Sequence, residues 1–346
     1  FFGTGKKTDA GQNTGMTSKT AEPDAIKFLS AEESKKHFKL APGYAIDLFA
    51  SEEKFSDLGN AVSMAFDTLG RLWVSTFQSY PQWRPGGEMN DKILILEDTD
   101  HDGKADYQQT FADGLHMPIS FQFHNGGILV SHQRELLFLK DTNQDDKADI
   151  REQVLDGFDS ADSHHVINSF TYGPGGDLWF QEGTFQHSQV ETPWGPVRCV
   201  DAGTYRYEPR TQRLEVAISY KYANPHGIAF DKWGQLFISD ASGGANYFGT
   251  AMSGYLPYPE KHNTMQQWFP KRVRPTSGCE FVSSRHFPDE AQGRFLLNNC
   301  IGVQGILQHE VKEAGSGFEG KEIEPLLLSD DPLFRPVAMT FASRES

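Results

Sequence analysis

No run in this 346-residue chain approaches the ~18 consecutive apolar residues of a membrane-spanning helix, so no such span is expected. Positive charge is scarce: 32 Lys and Arg face 47 Asp and Glu, a formal net charge of −15. That balance excludes a nucleic-acid partner, because a phosphate backbone needs a basic face, and it suits a hard cation instead. Cysteine is nearly absent. Cys199, Cys279 and Cys300 form neither CxxC nor CxxCH, which excludes a zinc ribbon and covalent haem within this stretch. Cys279 and Cys300 bracket a hairpin opposite one another, which leaves a disulfide or two buried thiols as readings. Residues 1–28 are rich in Gly, Thr and Lys, lack the apolar core of a signal peptide, and read as a disordered segment.

What the chain has in plenty is turns and short apolar strands. One pattern recurs: a polar residue or proline, an apolar strand, a tight Gly/Asp turn, and a second apolar strand. It is clearest over 60–75, 165–180 and 225–239, weaker over 117–131 and 278–299, and begins again at Arg335. Phe66, Phe123, Tyr172, Phe230, Phe281 and Phe341 mark the register at intervals of about 55 residues. A repeat of that length, holding about four short strands, is the signature of a propeller blade. The expected fold is an all-β, six-bladed β-propeller over residues 29–346, its sixth blade truncated because little chain follows Phe341. Ahead of it, Ser30-Ala-Glu-Glu33 is a capping box and predicts a short helix. The alternating run Gly43–Ala50 predicts an outer strand that closes the ring against the sixth blade.

Two acidic loops carry the clearest chemistry. Asp98, Asp100, Asp102 and Asp106 occupy positions one, three, five and nine of an EF-hand-like loop, with Gly103 at six and the Lys104 carbonyl at seven. Asp141, Asn143, Asp145, the Lys147 carbonyl and Asp149 repeat the pattern and add Glu152 at twelve, but place Asp146 where glycine belongs. A hard cation needs several oxygens from one short segment, and alternate residues of a tight turn deliver them. The loops are expected to hold Ca2+ in a structural role at the rim; solvated acidic turns are the other reading.

Function in propellers gathers where the innermost strands begin, around the axis. The residues at those points are Asn60, His116, His164 with His165, Asn224 with His226, Arg274 with Thr276, and Arg335. This is a ring of histidine, amide and arginine, suited to a general base and an anionic group. Aromatic residues crowd the long connections 184–198 and 242–275 and suit either sugar stacking or packing within the loops.

At this point the residues carry a resemblance. The runs Ser163–Phe180, Gly203–Thr211, Ala223–Phe230 and Ala241–Phe248, with the opening Ala41–Ala50, resemble the propeller domain of the PVC-type membrane-bound dehydrogenases, from about Leu29 to the end. Those proteins are similar to soluble pyrroloquinoline quinone (PQQ) glucose and sorbosone dehydrogenases and often continue into a c-type cytochrome domain. The resemblance implies His165 as general base toward a sugar or polyol hydroxyl. It implies Asn224, His226 and Arg335 as cofactor-binding residues, PQQ as cofactor, a cytochrome partner, and a periplasmic or extracellular location. The four residues are expected to meet in one axial pocket. The chain departs from the pattern: Ala223-Asn-Pro-His-Gly227 stands where those dehydrogenases have Arg-Asn-Pro-Gln-Gly, and blade five shows no counterpart of their cofactor lysine. Two other readings compete, a calcium-stabilised propeller that binds a glycan or protein without chemistry, and a lactonase-type hydrolase. The hydrolase needs a metal on the axis held by Asp, Glu or Asn at the strand entries, and this ring is rich in His and Arg, with only Asn60 and Asn224 of that kind.

Overall fold

The computed structural model describes residues 28–342, apart from 82, 83, 85, 250–254 and 271–273; the glycine- and threonine-rich start expected to be disordered lies outside the described residues. The short helix forms over Ala31–Lys35. Both arms of its capping box are closed, Glu33 N donating to Ser30 Oγ and Ser30 N to Glu33 Oε2.

Five antiparallel sheets of a β-propeller follow. Blade 1 comprises Ala61–Phe66, Leu72–Thr76, Asp91–Glu97 and Tyr107–Leu115, and blade 2 Phe121–His124, Gly127–His132, Glu135–Lys140 and Ile150–Asp156. Blade 3 comprises Asn168–Tyr172, Leu178–Glu182, Gly203–Glu208 and Arg213–Ile218, and inserts a separate hairpin, His187–Thr192 with Gly195–Val200. Blade 4 comprises Pro225–Phe230, Leu236–Asp240, Ala245–Gly249 and Gln267–Phe269. Blade 5 contains Thr276–Phe281, Phe295–Asn299, Gln304–Ala314 and Leu327–Ser329, with Phe38–Leu40 added outside its last strand.

The turns explain why these strands end where they do. Asp67 Oδ1 accepts from the backbone of Leu69 and Arg71, and Gly70 takes φ +86°. Asp231 does the same for Trp233 and Gln235, with Gly234 at +81°. Such Asx turns reverse the chain locally, and only glycine adopts the left-handed residue without strain. Facing blades bury the apolar side of each strand: Trp73, Ile95 and Phe121 join blades 1 and 2, and Phe237, Trp268 and Phe295 join blades 4 and 5.

The six-blade expectation is corrected to five sheets. The five register marks Phe66 to Phe281 lie on innermost strands, but the segment 335–341 forms no strand, because among the described residues nothing pairs with it. It still takes the sixth place at the axis, where Ser277 Oγ donates to the Pro336 carbonyl. Gly43–Ala50 is not the closing strand: Tyr44 packs on Phe287 of blade 5, which in turn meets Phe341, while Phe49 packs against blade 1. The outer strand from the N-terminal region is Phe38–Leu40, paired with Leu327–Ser329. The cysteines are free. Cys279 pairs across the hairpin with Leu297, and Cys300 lies beyond the strand end with its thiol toward Ser277 and Pro336, so the two do not face each other.

Candidate functional site at the leading face

All innermost strands run in one direction, and their first residues define the leading face. There the chain enters blade 3 through a single helical turn, Ser163–His165, capped by the Asp162 side chain. The turn drives His165 inward, to 4% exposure. Its Nδ1 stands 2.9 Å from the Thr184 carbonyl, and its own carbonyl accepts from Gly183 N. A carbonyl only accepts, so Nδ1 carries a hydrogen, and in the neutral ring the lone pair is on Nε2. Phe185 stacks on the imidazole at 20°. Asp162 Oδ2 lies 3.7 Å from the same Nδ1.

His164 stays half-exposed, its Nδ1 2.7 Å from Asp162 Oδ1 and its ring edge-on to Tyr80. Burial lowers its pKa, the neighbouring His165 lowers it further, and Asp162 opposes both. One ligand atom each from Asp162, His164 and His165 lies within 4.8 Å of the others, so the turn also has the composition of a two-histidine, one-carboxylate metal site.

The remaining expected residues are placed differently. Asn224 is fixed through its backbone: its N–H donates to Asp240 Oδ1, its carbonyl accepts from Ala241 N, and its Nδ2 reaches Ser242 Oγ at 3.4 Å. Arg335 is exposed, close enough to Cys300 to pull down a thiol pKa that burial pushes up. His116, expected in the ring around the axis, is fully buried near Asp91; burial lowers its pKa and Asp91 opposes.

Of the four residues expected in one axial pocket, only His226 lines the cavity of about 280 Å³ that runs along the axis. It is also not free to hold a cofactor through both nitrogens, because Nδ1 accepts from Gly278 N at 3.3 Å. That bond belongs to a series round the axis. Phe170 N donates to Ser120 Oγ, Gly227 N to Ser169 Oγ, Gly278 N to His226 Nδ1, and Ser277 Oγ to the Pro336 carbonyl. Blades 2, 3, 4 and 5 and the segment at the sixth place are thereby tied in sequence, and bulges in the innermost strands of blades 3, 4 and 5 expose the backbone donors.

Sequence reasoning missed Glu280, a carboxyl on the cavity wall whose pKa burial pushes up to about 7 against a hydrogen bond from Phe281 N. The available signal was a charged residue inside an innermost strand. It also missed Gly183 and Thr184, which orient His165 from 18 and 19 residues downstream and carry no motif of their own.

The acidic loops connect the third and fourth strands of blades 1 and 2. Oxygens of Asp98, Asp100 and Asp102 converge within 4.8 Å. Asp98 accepts from the backbone of Asp102 and Gly103, and Asp102 from Lys104, which holds the turn tight. Asp141, Asn143 and Asp145 repeat this. Asp106 and Asp149 take another part: each accepts from the backbone and hydroxyl of a threonine, Thr99 and Thr142. Asp146, in glycine's place, adopts φ +60° and its carboxylate pairs with Arg71 of blade 1 at 2.8 Å. Glu152 lies on the fourth strand of blade 2, opposite Phe138.

Among the described residues no helix is long and apolar enough to cross a membrane. A carbohydrate-active enzyme of family AA12 from Trichoderma reesei is similar in structure, with a TM-score of 0.56 at 13% identity over 89% of this chain and 93% of its own. A protein from Thermus thermophilus described as an oxidoreductase (glucose dehydrogenase) matches with a TM-score of 0.45 at 14% identity over 77% and 84%. One described as a gluconolactonase matches with 0.46 at 15% over 77% and 78%. At such identities the likeness is one of fold. No curated protein sequence matches the chain. Residues 30–342 match the family described as Domain of unknown function (DUF7133), and the chain belongs to that family.

Proposed function

We propose that the leading face oxidises a sugar or polyol hydroxyl, with Nε2 of His165 as the general base. The observation that carries this reading is the seating of the imidazole: the Thr184 carbonyl fixes the proton on Nδ1, Gly183 lies under the ring and Phe185 stacks on it. A base held in one tautomer, with the other nitrogen bare, meets the first requirement of proton abstraction. The O–H proton goes to Nε2 while the adjacent C–H leaves as hydride to an acceptor.

PQQ, when bound, supplies that acceptor. Arg335 fits an anionic cofactor, being exposed and paired with no carboxylate among the described residues, and the Asn224 side chain lies at the same face. His226 is left to the axial series. Ca2+ is assigned to Asp98, Asp100 and Asp102, and to Asp141, Asn143 and Asp145, as a brace for blades 1 and 2. Electrons pass to a c-type cytochrome partner in a periplasmic or extracellular setting.

The test is a PQQ titration followed by sugar-dependent dye reduction. His165→Ala lowers the rate on the order of 10²-fold or more, as removal of a general base does, and Arg335→Ala weakens quinone binding. Absence of quinone binding at tens of micromolar overturns the PQQ assignment, and an unchanged rate in His165→Ala overturns the base.

A further inference from the structure

We infer that a second site, a groove for a pyranose polysaccharide chain, lies away from His165 on the outer edge of blade 3. Two cavities, of about 660 and 520 Å³, share Glu215, Val216 and Tyr255 and form one groove. It runs from the inserted hairpin, past the last strand of blade 3, to the turns at which the innermost strands of blades 3 and 4 end. Those turns are at the opposite face from His165.

Its walls combine aromatic, aliphatic and proline surfaces with a few charged side chains. Trp194, Tyr255 and Tyr258 are 66%, 72% and 49% exposed. The Trp194 indole is held by a bond from Nε1 to the Thr211 carbonyl at 2.9 Å, so its ring is fixed and still open to solvent. Deeper in the groove Arg206 lies over the Trp179 ring at 5.9 Å and bonds Glu215 at 2.7 Å. An exposed indole with its N–H already satisfied gains little by exposure unless something covers its face. Beside the rings the groove is lined by charged groups, Arg198 and Arg213 in one cavity, Arg206 in the other, and Glu215 in both. A pyranose has the matching anatomy, with C–H faces that cover aromatic rings and hydroxyls at its edge for carboxylate and guanidinium. Each cavity alone falls within the ~300–1,000 Å³ of small-molecule sites, so an occupant of both is a chain of sugar units rather than one ring.

Affinity gel electrophoresis tests the site with two probes, hydroxyethylcellulose as a neutral glucan and polygalacturonate as an acidic one. Retardation by either supports it, and which probe acts reports whether Arg198 and Arg213, both on the groove wall, add charge recognition. Trp194→Ala should weaken binding on the order of tenfold, the loss of one stacking contact of about 1.4 kcal/mol, and Trp194→Phe should retain most of it. Both variants should melt with the parent, as befits an exposed ring. His165→Ala should leave retardation unchanged, which separates this site from the leading face. Mobility unaffected by both polysaccharides, or equal retardation of Trp194→Ala and the parent, overturns the inference.

Discussion

A Cβ placed on Gly183 would stand 2.7 Å from both Cβ and Cγ of His165. The two residues are also joined by a backbone hydrogen bond of 2.8 Å, so neither can retreat without loosening the other. Gly183 is therefore the floor under the imidazole, and the space it leaves is what lets Nδ1 reach the Thr184 carbonyl.

Gly183→Ala should displace the ring and break the Nδ1 contact. Overpacking of this kind costs about 1–3 kcal/mol, read as a lower urea midpoint. The His165 imidazole signals in a heteronuclear NMR spectrum should move to those of a ring exchanging between tautomers. A variant with the parent's midpoint and imidazole shifts would show that the floor is not rigid.

The strands were readable because their information is local. Alternation and an Asx-Gly turn at Asp67 or Asp231 specify a hairpin within fifteen residues, whatever the rest of the chain does. The number of sheets was not readable from the same signals. The segment 335–341 carries the inner-strand pattern, yet a strand exists only with a partner, and partnership is decided at long range. Gly43–Ala50 shows the converse: its alternation reflects burial against blade 5 on one side and blade 1 on the other, which coil in a wedge-shaped gap satisfies as well as a strand does. His226 lines the axial cavity, as its place at the start of an innermost strand suggests, but its bond to Gly278 depends on a bulge that no periodicity announces.

The sixth axial place can be tested at Gly278, which has φ +23° and whose added Cβ would lie 2.6 Å from the Val337 carbonyl oxygen. Gly278→Ala should push 335–341 away from the axis. Limited proteolysis with mass spectrometry should then show earlier cleavage in that segment, while cuts elsewhere keep the parent's rate. Equal protection in both proteins would mean that Ser277 and the Tyr44–Phe287–Phe341 contacts hold the segment without Gly278.

Calcium gives a two-variant discrimination. Ion binding to the folded state stabilises it by about 2.7 kcal/mol at one hundred times Kd, so chelation should lower Tm by several degrees. Asp102→Ala, which removes a converging oxygen, should abolish most of the response of its loop. Asp106→Ala should lower Tm equally with and without chelator, because its oxygens serve Thr99. A melting curve indifferent to chelator removes the ion from both loops.

The axial carboxyl predicts a pH dependence whose sign can be worked out. Burial raises Glu280 in the folded protein from 4.5 to about 7. Between those values the native state keeps a proton that the unfolded state has lost, so stability falls as pH rises through this window and is flat above it. At 1.36 kcal/mol per unit the loss is on the order of 3 kcal/mol. His226, on the same cavity wall, has a pKa lowered by burial and acts in the opposite sense on the acid side. Glu280→Gln removes only the carboxyl's share while keeping an acceptor for Phe281 N. Relative to the parent, the glutamine variant should therefore gain stability from pH 5 to pH 8, measured as the difference in urea midpoints. A difference that stays constant over that range would place the carboxyl in water rather than against the cavity wall.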